Sequence, residues 1–262
     1  MQQAILKLQG IEQLLKAKVN EQGVAEINGM EYRADSLPVD VPVTGTVYGT
    51  LLNYQGEYEI LEPLMKEEPY KNPPKAPVLY IKPKNTFISH RSAIPLPENM
   101  DALQIGAALG IVIGKKATKV TEETALECIA GYTIINDVSI PHENFHRPAV
   151  KEKARDGFCP IGPWIVSSHS IKNPNDLNIK VSINGNLKQE NTTRNLVRSI
   201  ETLIADVTEF MTLAKGDVLL VGVPENAPLA KENDLVKIEI EKIGAIENRV
   251  INERNVIGGN IL

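Results

Sequence analysis

The stretch that decides the fold is AGYTIINDVS at residues 130–139, followed by KARDGFCPIGPW at residues 153–164. The run from Tyr132 to Asn136 is apolar and β-branched, which is typical of a buried strand. It ends at Asn136 and Asp137, so a carboxylate is expected at a strand end. A third piece, GDVLL at residues 216–220, leads to a Gly-Val-Pro turn.

Outward from these pieces the chain is mostly short apolar segments. From Val78 onward, short apolar runs such as VLYIKP, NTFISH and IGAALGIVIG are separated at even intervals by turn-forming residues, a pattern typical of successive strands. Asn184-Gly185 predicts a hairpin turn. One helix is predicted from about Thr121, with Gly131 after its C-cap, and a longer one along Leu196–Met211, where apolar residues repeat at helical spacing. This order predicts an α+β, β-rich fold dominated by a mixed or antiparallel sheet.

The pattern also divides the chain into segments. In the first, Asn28-Gly29 is expected to form a two-residue hairpin turn between short strands. In the second, the acidic residues and prolines of EYEILEPLMKEEPYKNPPKAP disfavour a sheet centre and predict a loop. The predicted units are a β-rich N-terminal appendage at 1–50, a strand and lid-like loop at 51–77, the main domain at 78–255 and a C-terminal tail at 256–262.

Composition narrows the classes of ligand. Acidic residues outnumber basic ones, 33 to 28, and the formal net charge is −5, which gives no cationic surface for nucleic acid or an anionic membrane. No apolar run approaches the ~20 residues of a membrane helix. Two cysteines, Cys128 and Cys159, and a start without leader-like features favour a reducing cytoplasm. A small-molecule ligand is therefore expected.

Several catalytic motifs can be set aside. Residues 142–146, HENFH, match the H-E-x-x-H spacing of zinc-binding helices. Pro141 and Pro148 bracket this segment and leave too short a helix, so a polar surface turn is favoured. The glycines form no phosphate-binding loop, and there is no G-x-S-x-G nucleophile motif. Cys159 is interpreted as a buried structural thiol.

The three pieces, in this order and spacing, resemble the fumarylacetoacetate hydrolase family. The resemblance covers the chain from about Val78 to Arg254, including residues 189–192 and the long helix after them. It implies a mixed β-roll or sandwich core with a few flanking helices.

Within that family the chain is similar to the isomerase/decarboxylases of 4-hydroxyphenylacetate breakdown, in their N-terminal-type half or subunit. The similarity lies in Arg147-Pro148, Lys153–Pro160 and YKNPPKAP at residues 70–77. It implies a cytoplasmic subunit that decarboxylates 5-oxopent-3-ene-1,2,5-tricarboxylate and isomerises 2-hydroxyhepta-2,4-diene-1,7-dioate. It also implies a homodimer or a heteromer with a sister subunit, acting on a dicarboxylate or tricarboxylate 2-oxo acid.

The resemblance further implies a divalent cation, Mg²⁺ or Mn²⁺. Members with the full site hold it with two glutamates in E-x-E on one strand, whose alternation points both to one face, and with the aspartate of Asn-Asp-Val-Ser. The matching strand positions here are Gly106 and Ala108, so Asp137 is left as a partial metal site. A lone carboxylate is a poor Mg²⁺ site, and the metal site is expected to be degenerate.

Other positions depart from the family or keep its residue types. The family's lid histidine, which follows Asn53-Tyr54, is replaced by the stretch that contains Glu57, and the threonine of its Gly-Thr-Pro turn is Val223. By resemblance, catalytic roles are expected for Asp137, Lys153 and Glu57, and substrate binding for Lys82, Arg147 and Gln189.

Two alternatives stay open beside the decarboxylase/isomerase subunit. The missing metal ligands would suit a non-catalytic partner of a metal-complete sister chain. Hydrolysis of an acylpyruvate-type diketo acid is ordinary for the family, but it would need the absent histidine and metal to activate water.

Overall fold

The computed structural model describes residues 1–142 and 148–258. Strands dominate it. They are β1 (Gln2–Leu8), β2 (Leu15–Val19), β3 (Val24–Ile27), β4 (Met30–Arg33), β5 (Val39–Asp40), β6 (Val47–Leu51), β7 (Val78–Lys82), β8 (Phe87–Ile88), β9 (Ala93–Leu96), β10 (Leu103–Gln104), β11 (Ala107–Ile113), β12 (Ile129–Asn136), β13 (Cys159–Ser167), β14 (Asn178–Ile183), β15 (Asn186–Thr192), β16 (Val218–Leu220), β17 (Leu229–Ala230), β18 (Leu235–Ile240) and β19 (Gly244–Asn252).

Short helices flank the sheets. They are α1 (Gln55–Met65), α2 (Glu122–Ala125), α3 (Val150–Lys153), α4 (Ile200–Phe210) and α5 (Glu253–Gly258). Among the described residues, none of these helices has the length and apolar character needed to span a bilayer.

The strands form one large sheet, one smaller sheet and a short ribbon. The large sheet runs β4-β3-β2-β1-β13-β12-β11-β16-β6-β7, with β5 on β1 and β8 on β13. The smaller sheet runs β15-β14-β18-β19-β9, and β10 pairs with β17. Most neighbours are antiparallel, but β16 with β6, β13 with β8 and β19 with β9 are parallel. The predicted α+β, β-rich fold with a mixed-sheet core is confirmed.

The centre of the large sheet is covered on both faces. Every residue of β11 is buried, as are nearly all of β12 and β13, which explains why these strands read as continuous apolar runs. Antiparallel pairing of β11 with β12 sets Ala107 opposite Asn136. Just beyond that pair the Asp137 amide donates to the Gly106 carbonyl at 2.7 Å, so register fixes where the strand-end carboxylate lies.

Trp164 links the two sheets. It lies on β13, is 0% exposed, and its indole Nε1 donates to the Ile243 carbonyl at 2.8 Å, between β18 and β19 of the smaller sheet. An aromatic side chain of this size brings a large apolar area into the core while its single polar atom finds a partner.

The N-terminal strands continue the large sheet. Ala4 of β1 lies opposite Val166 of β13, and β2, β3 and β4 follow as antiparallel neighbours. This segment is β-rich as predicted, and the proposed boundary at residue 50 stays a prediction.

Both predicted hairpin turns are confirmed. Asn28 and Gly29 join β3 to β4, and Asn184 and Gly185 join β14 to β15. All four have positive φ, at 52°, 81°, 52° and 78°, as a two-residue turn that matches strand twist requires.

The predicted loop after β6 is wrong over its first part, since α1 occupies Gln55–Met65. Pro63 lies in the last turn of that helix, where its missing N–H removes a single bond and leaves the earlier turns intact. The Gln55 amide also donates to Glu59 one turn later, at 2.8 Å.

The two other helix predictions need correction at their ends. The long helix begins at Ile200, because Ser199 caps it and Leu196 and Val197 are instead extended against residues 53 and 54. The helix after Thr121 ends well before Gly131, which lies inside β12. A Cβ on Gly131 would stand 2.2 Å from the Val166 carbonyl oxygen, so glycine is needed for close strand approach rather than for a cap.

Replacing the residue that links the sheets tests this packing. We expect Trp164→Ala to lower the free energy of unfolding by about 3–5 kcal/mol, because it opens a cavity and leaves the Ile243 carbonyl without its donor. Urea denaturation followed by circular dichroism measures this loss. Phe210→Ala, at a residue 61% exposed on α4, is the matched aromatic control and should change stability by less than about 0.5 kcal/mol. Equal effects of the two changes would contradict the role of Trp164.

Candidate active site

The carboxylate of Asp137 is the centre of a buried polar cluster. Asp137 is 2% exposed at the end of β12. Its Oδ1 lies 3.0 Å from Lys82 Nζ and its Oδ2 lies 2.6 Å from Lys153 Nζ. The Tyr80 hydroxyl also donates to Oδ2 in a short hydrogen bond. We call these four side chains, Tyr80, Lys82, Asp137 and Lys153, the ammonium–carboxylate cluster.

Strand β7 supplies two members of the cluster because Tyr80 and Lys82 are two residues apart and share one face. Opposite Tyr80 on β6 is Gly49, and a Cβ there would stand 2.0 Å from the Tyr80 ring. Only glycine leaves room for the ring to lie across β6 and reach Asp137.

Lys82 is held by protein atoms on every side. It is 1% exposed, and its ammonium donates to the carbonyls of Val138 at 3.1 Å and Lys153 at 2.7 Å, besides its ion pair with Asp137. Its ammonium therefore has two carbonyl acceptors and one opposite charge close by. This geometry favours a positioning role for Lys82, fixing both Asp137 and the end of α3.

Lys153 is placed differently. It is the last residue of α3, its side chain is 16% exposed, and its ammonium lies 5.0 Å from the centre of the Tyr80 ring. An ammonium over an aromatic face gains a cation–π interaction. Lys153 therefore presents a positive charge at the mouth of the cluster.

Opposing effects set the protonation of the cluster. Burial alone would raise the pKa of Asp137, but the charges of Lys153 and Lys82, with hydrogen bonds from Lys153 and Tyr80, outweigh it and hold the pKa well below its usual range. Burial, followed by the Asp137 charge, raises the pKa of Tyr80 well above its usual value. At neutral pH the cluster is an ionised carboxylate with a neutral phenol.

Glu57 faces this cluster from the first turn of α1. Its Oε2 accepts the Leu52 N–H at 3.0 Å. Burial raises the pKa of Glu57 to about 7, against the lowering effects of the Leu52 N–H and Lys153, and the charges of Glu225 and Asp137 add to the rise. A carboxyl group with this pKa exchanges a proton near neutrality, which is what general acid–base catalysis requires.

A second acidic residue, Glu225, packs next to Glu57, and its charge raises the pKa of Glu57. A Cβ on Gly56 would be 2.3 Å from the Glu225 carboxyl carbon, so the carboxylate packs directly on the first turn of α1. The Asn191 amide donates to Glu225 Oε1 at 3.1 Å, and the Gln189 amide donates to the Glu225 carbonyl at 2.6 Å.

Several buried polar atoms around Glu57 have no hydrogen-bond partner within the described parts of the chain. They are Tyr54 Oη, Gln189 Oε1 and Glu225 Oε2, and in the cluster Asp137 Oδ1 accepts no hydrogen bond from those parts either. Native structures leave few such atoms unpaired, and an unpaired buried polar atom calls for an explanation such as a bound ligand or water.

The structure brings together most of the residues predicted from sequence. Lys82, Asp137 and Lys153 are in direct contact, Glu57 faces them, and Gln189 lies beyond Glu225. Arg147 and the rest of 143–147 lie outside the described residues, so its proposed role is untested. Cys159 is buried and burial raises the pKa of its thiol to about 12, as expected of a structural thiol.

Sequence reasoning missed two residues, Tyr80 and Glu225. For Tyr80 a signal was present, since strand alternation puts it on the face of Lys82. Glu225 carried no local signal, because its contacts with residues 56 and 191 depend on tertiary structure.

The residues present do not fit a divalent cation held by protein carboxylates. Asp137 already faces two ammonium groups, which would repel a cation at the same oxygens. A Cβ on Gly106 would stand 2.5 Å from the Asp137 carbonyl oxygen, so the backbone leaves no room for a ligand side chain there. Within residues 1–142 and 148–258, no three His, Cys, Asp or Glu side chains group as a metal site would.

The fold and this cluster together define a class: a β-rich protein with a buried, charged side-chain cluster at a strand end. Comparison with known proteins places the chain more closely. Residues 46–251 match the family described as "Fumarylacetoacetate (FAA) hydrolase C-terminal". The chain is also 40% identical, over 212 residues, to the 4-hydroxyphenylacetate degradation bifunctional isomerase/decarboxylase of Escherichia coli.

This protein belongs to the fumarylacetoacetate hydrolase family. The match to the E. coli relative covers 81% of this chain but 48% of the relative, so the chain spans about half the length of the curated relatives it matches.

Solved structures agree with the family. The 2-hydroxyhepta-2,4-diene-1,7-dioate isomerase of Mycobacterium marinum has a TM-score of 0.77 at 25% identity, covering 97% of this chain and 99% of that one. The maleylpyruvate hydrolase of Sphingobium sp. SYK-6, solved with manganese(II) and pyruvate, has a TM-score of 0.76 and covers 95% of this chain and 99% of its own. At 20% identity the latter shows similarity of fold.

The raised pKa of Glu57 predicts a pH dependence of stability. Between pH 4.5 and 7 the unfolded chain loses this proton before the folded one does, so the folded state loses relative stability as pH rises. We expect Glu57→Gln to gain about 1–3 kcal/mol relative to the wild type between pH 4.5 and pH 8. Urea denaturation at several pH values measures the difference. Parallel stability curves for the two proteins would contradict a raised pKa at Glu57.

Proposed function

We propose that this chain is a subunit of an isomerase/decarboxylase of aromatic catabolism, acting on a small dicarboxylate or tricarboxylate 2-oxo acid. The reactions proposed are isomerisation of 2-hydroxyhepta-2,4-diene-1,7-dioate and decarboxylation of 5-oxopent-3-ene-1,2,5-tricarboxylate. The support from relatives is the E. coli isomerase/decarboxylase and the M. marinum isomerase.

The observation that carries the proposal is that Glu57 and Lys153 lie near enough for their charges to interact, since Lys153 lowers the pKa of Glu57. One is a carboxyl group with a pKa of about 7, and the other is an ammonium at the mouth of the cluster. An isomerisation by proton transfer needs both: a group that takes and returns a proton near neutral pH, and a positive charge where negative charge develops on oxygen.

In the isomerisation, Glu57 as carboxylate takes the hydroxyl proton of the dienol. The C–O bond becomes a carbonyl and the electron pairs shift along the diene. The carboxylic acid of Glu57 then protonates the carbon at the end of the diene farther from that oxygen. The Lys153 ammonium hydrogen-bonds the oxygen while it carries negative charge. Asp137 and Tyr80 hold that ammonium in place.

In the decarboxylation, the C–C bond to a carboxylate breaks and its electron pair enters the conjugated oxo system. CO₂ leaves, and the resulting enolate oxygen is again stabilised by Lys153. Protonation of carbon by the acid form of Glu57 completes the step. Both reactions pass through an enolate at one oxygen, so a single fixed cation serves both.

The second candidate is a non-catalytic partner of a metal-complete sister chain. Gly106 and Ala108, where metal ligands stand in complete members, favour it. Such a subunit would form a stable heteromer and contribute no group to turnover.

We also propose a cytoplasmic location, because Cys128 and Cys159 are both free thiols. The oligomer proposed is a homodimer or a heteromer with that sister chain.

Removing the Lys153 charge tests the proposal. With the dienol substrate and the purified chain, we expect Lys153→Met to lower kcat/KM by about 10²-fold or more, since an electrostatic stabiliser of the transition state is lost. Substrate absorbance measures turnover. Lys151→Met, on the exposed side of the same helix, is the matched control and should retain wild-type rates. Turnover that appears only when a sister subunit is added, and is unaffected by Lys153→Met, would instead support the partner role.

The pH profile tests Glu57. Because the base form starts the isomerisation, kcat/KM should rise with pH and level off above about 7. Glu57→Gln should abolish this rise of kcat/KM with pH and lower kcat/KM by about 10²-fold or more. If the rise persists in Glu57→Gln, another group titrates there, and the role of Glu57 is contradicted.

A further inference from the structure

We propose that the Lys153 ammonium takes the place of a divalent cation in this chain, binding the carboxylate and adjacent oxo or enolate oxygen of a 2-oxo acid without metal. The inference rests on the proposed function, from which it takes the class of ligand, a 2-oxo acid. It assigns to a lysine side chain the positive charge that a metal ion would supply, and so it departs from the metal site that the family implies.

The first support is the backbone at the positions where metal ligands would arise. A Cβ on Gly106 would meet the Asp137 carbonyl oxygen at 2.5 Å and Val223 Cγ2 at 3.1 Å. Ala108 is 0% exposed within an apolar cluster that includes Ile135 and Val218. This side of the site is closed by backbone and hydrocarbon, so it offers no side-chain oxygen to a cation and no space for a ligating side chain.

The second support is the charge of the cluster. Lys82 and Lys153 contribute two positive charges and Asp137 one negative charge, so these three side chains carry 2 − 1 = +1; Glu57, when ionised, adds a negative charge beside them. Both Asp137 oxygens face ammonium groups, and Tyr80 donates to one of them. These ammonium groups would repel a divalent cation at the Asp137 oxygens, and the more exposed of them, on Lys153, can attract an anion.

The third support is the difference between the two lysines. Lys82 is 1% exposed, donates to two backbone carbonyls and forms an ion pair with Asp137, so protein atoms surround its ammonium. Within the described residues Lys153 has one hydrogen bond, to Asp137, and a contact with the Tyr80 ring. An ammonium has three donors, so two remain for ligand oxygens. Lys82 fixes the Lys153 carbonyl, which anchors the backbone from which that ammonium extends.

Oxalate is a suitable probe because it is a planar dianion that reproduces the carboxylate and adjacent oxygen of a 2-oxo acid enolate. We would dialyse the whole chain against EDTA and measure oxalate binding by calorimetry, in EDTA and again in excess Mn²⁺. Free Mn²⁺ would be counted by its electron paramagnetic resonance signal with and without protein. Neither measurement depends on turnover, so each is separate from the test of the proposed reaction.

The expected result has three parts. The chain leaves Mn²⁺ free at micromolar concentrations, oxalate binds with the same Kd in EDTA and in Mn²⁺, and Lys153→Met weakens oxalate by about tenfold or more through loss of charge-assisted hydrogen bonds. Lys151→Met binds oxalate as the wild type does. Circular dichroism confirms that both variants are folded.

Other outcomes overturn the inference. These are stoichiometric Mn²⁺ binding, oxalate binding that disappears in EDTA and returns with Mn²⁺, no oxalate binding under either condition, or equal affinities in Lys153→Met and the wild type. The wild-type measurements decide the matter even if Lys153→Met fails to fold. Metal-free oxalate binding without turnover of the dienol would contradict the proposed reaction and leave this inference standing.

Discussion

The ion pairs of Asp137 are the interaction on which the rest of the site depends. A carboxylate at 2% exposure is strongly destabilised unless opposite charges and donors surround it. Lys82 and Lys153 meet that requirement, and each in turn needs Asp137. Removing one partner would leave an uncompensated buried charge, so the three residues act as a unit. The strand end, the edge strand β7 and the short helix α3 are held in one arrangement by this requirement.

The same requirement explains the small residues around the site. Gly49 leaves space for the Tyr80 ring, Gly56 lets Glu225 approach α1, and Gly106 allows the Asp137 carbonyl to come close. At none of these three positions does the backbone conformation itself require glycine. Each is a place where a side chain would push apart groups that must lie near Asp137 or Glu57.

Much of the fold could be predicted from the sequence, for physical reasons. Strands β11 and β12 are buried on both faces and appear as long β-branched runs, and the Asn-Gly turns require positive φ at both positions. Helix α1 was missed because the acidic residues and prolines of its segment indicated a loop, although a proline in a last turn, such as Pro63, costs little. The start of α4 was misplaced because apolar periodicity continues through Leu196, while backbone pairing with Tyr54 decides the boundary.

The site was predictable only in part. Asp137, Lys153 and Glu57 stood in a recognisable order, but their mutual contacts depend on strands far apart in sequence. Tyr80 looked like an ordinary strand aromatic, and Glu225 like an ordinary loop acid. Membership of a family fixes the scaffold, whereas the chemistry is decided by which side chains occupy it. In this chain the scaffold is retained, and positions 106 and 108 carry glycine and alanine, which offer no side-chain ligand.

The position of Glu57 has a stereochemical consequence. Its carboxyl group extends from α1 and is fixed by the Leu52 N–H, while Lys153 approaches from α3 and is fixed by Asp137. Under the proposed reaction, the proton is therefore delivered to one face of the planar diene. The carbon that receives it becomes a CH₂ group, so the selectivity would be visible in heavy water, where deuterium would occupy one of two enantiotopic positions.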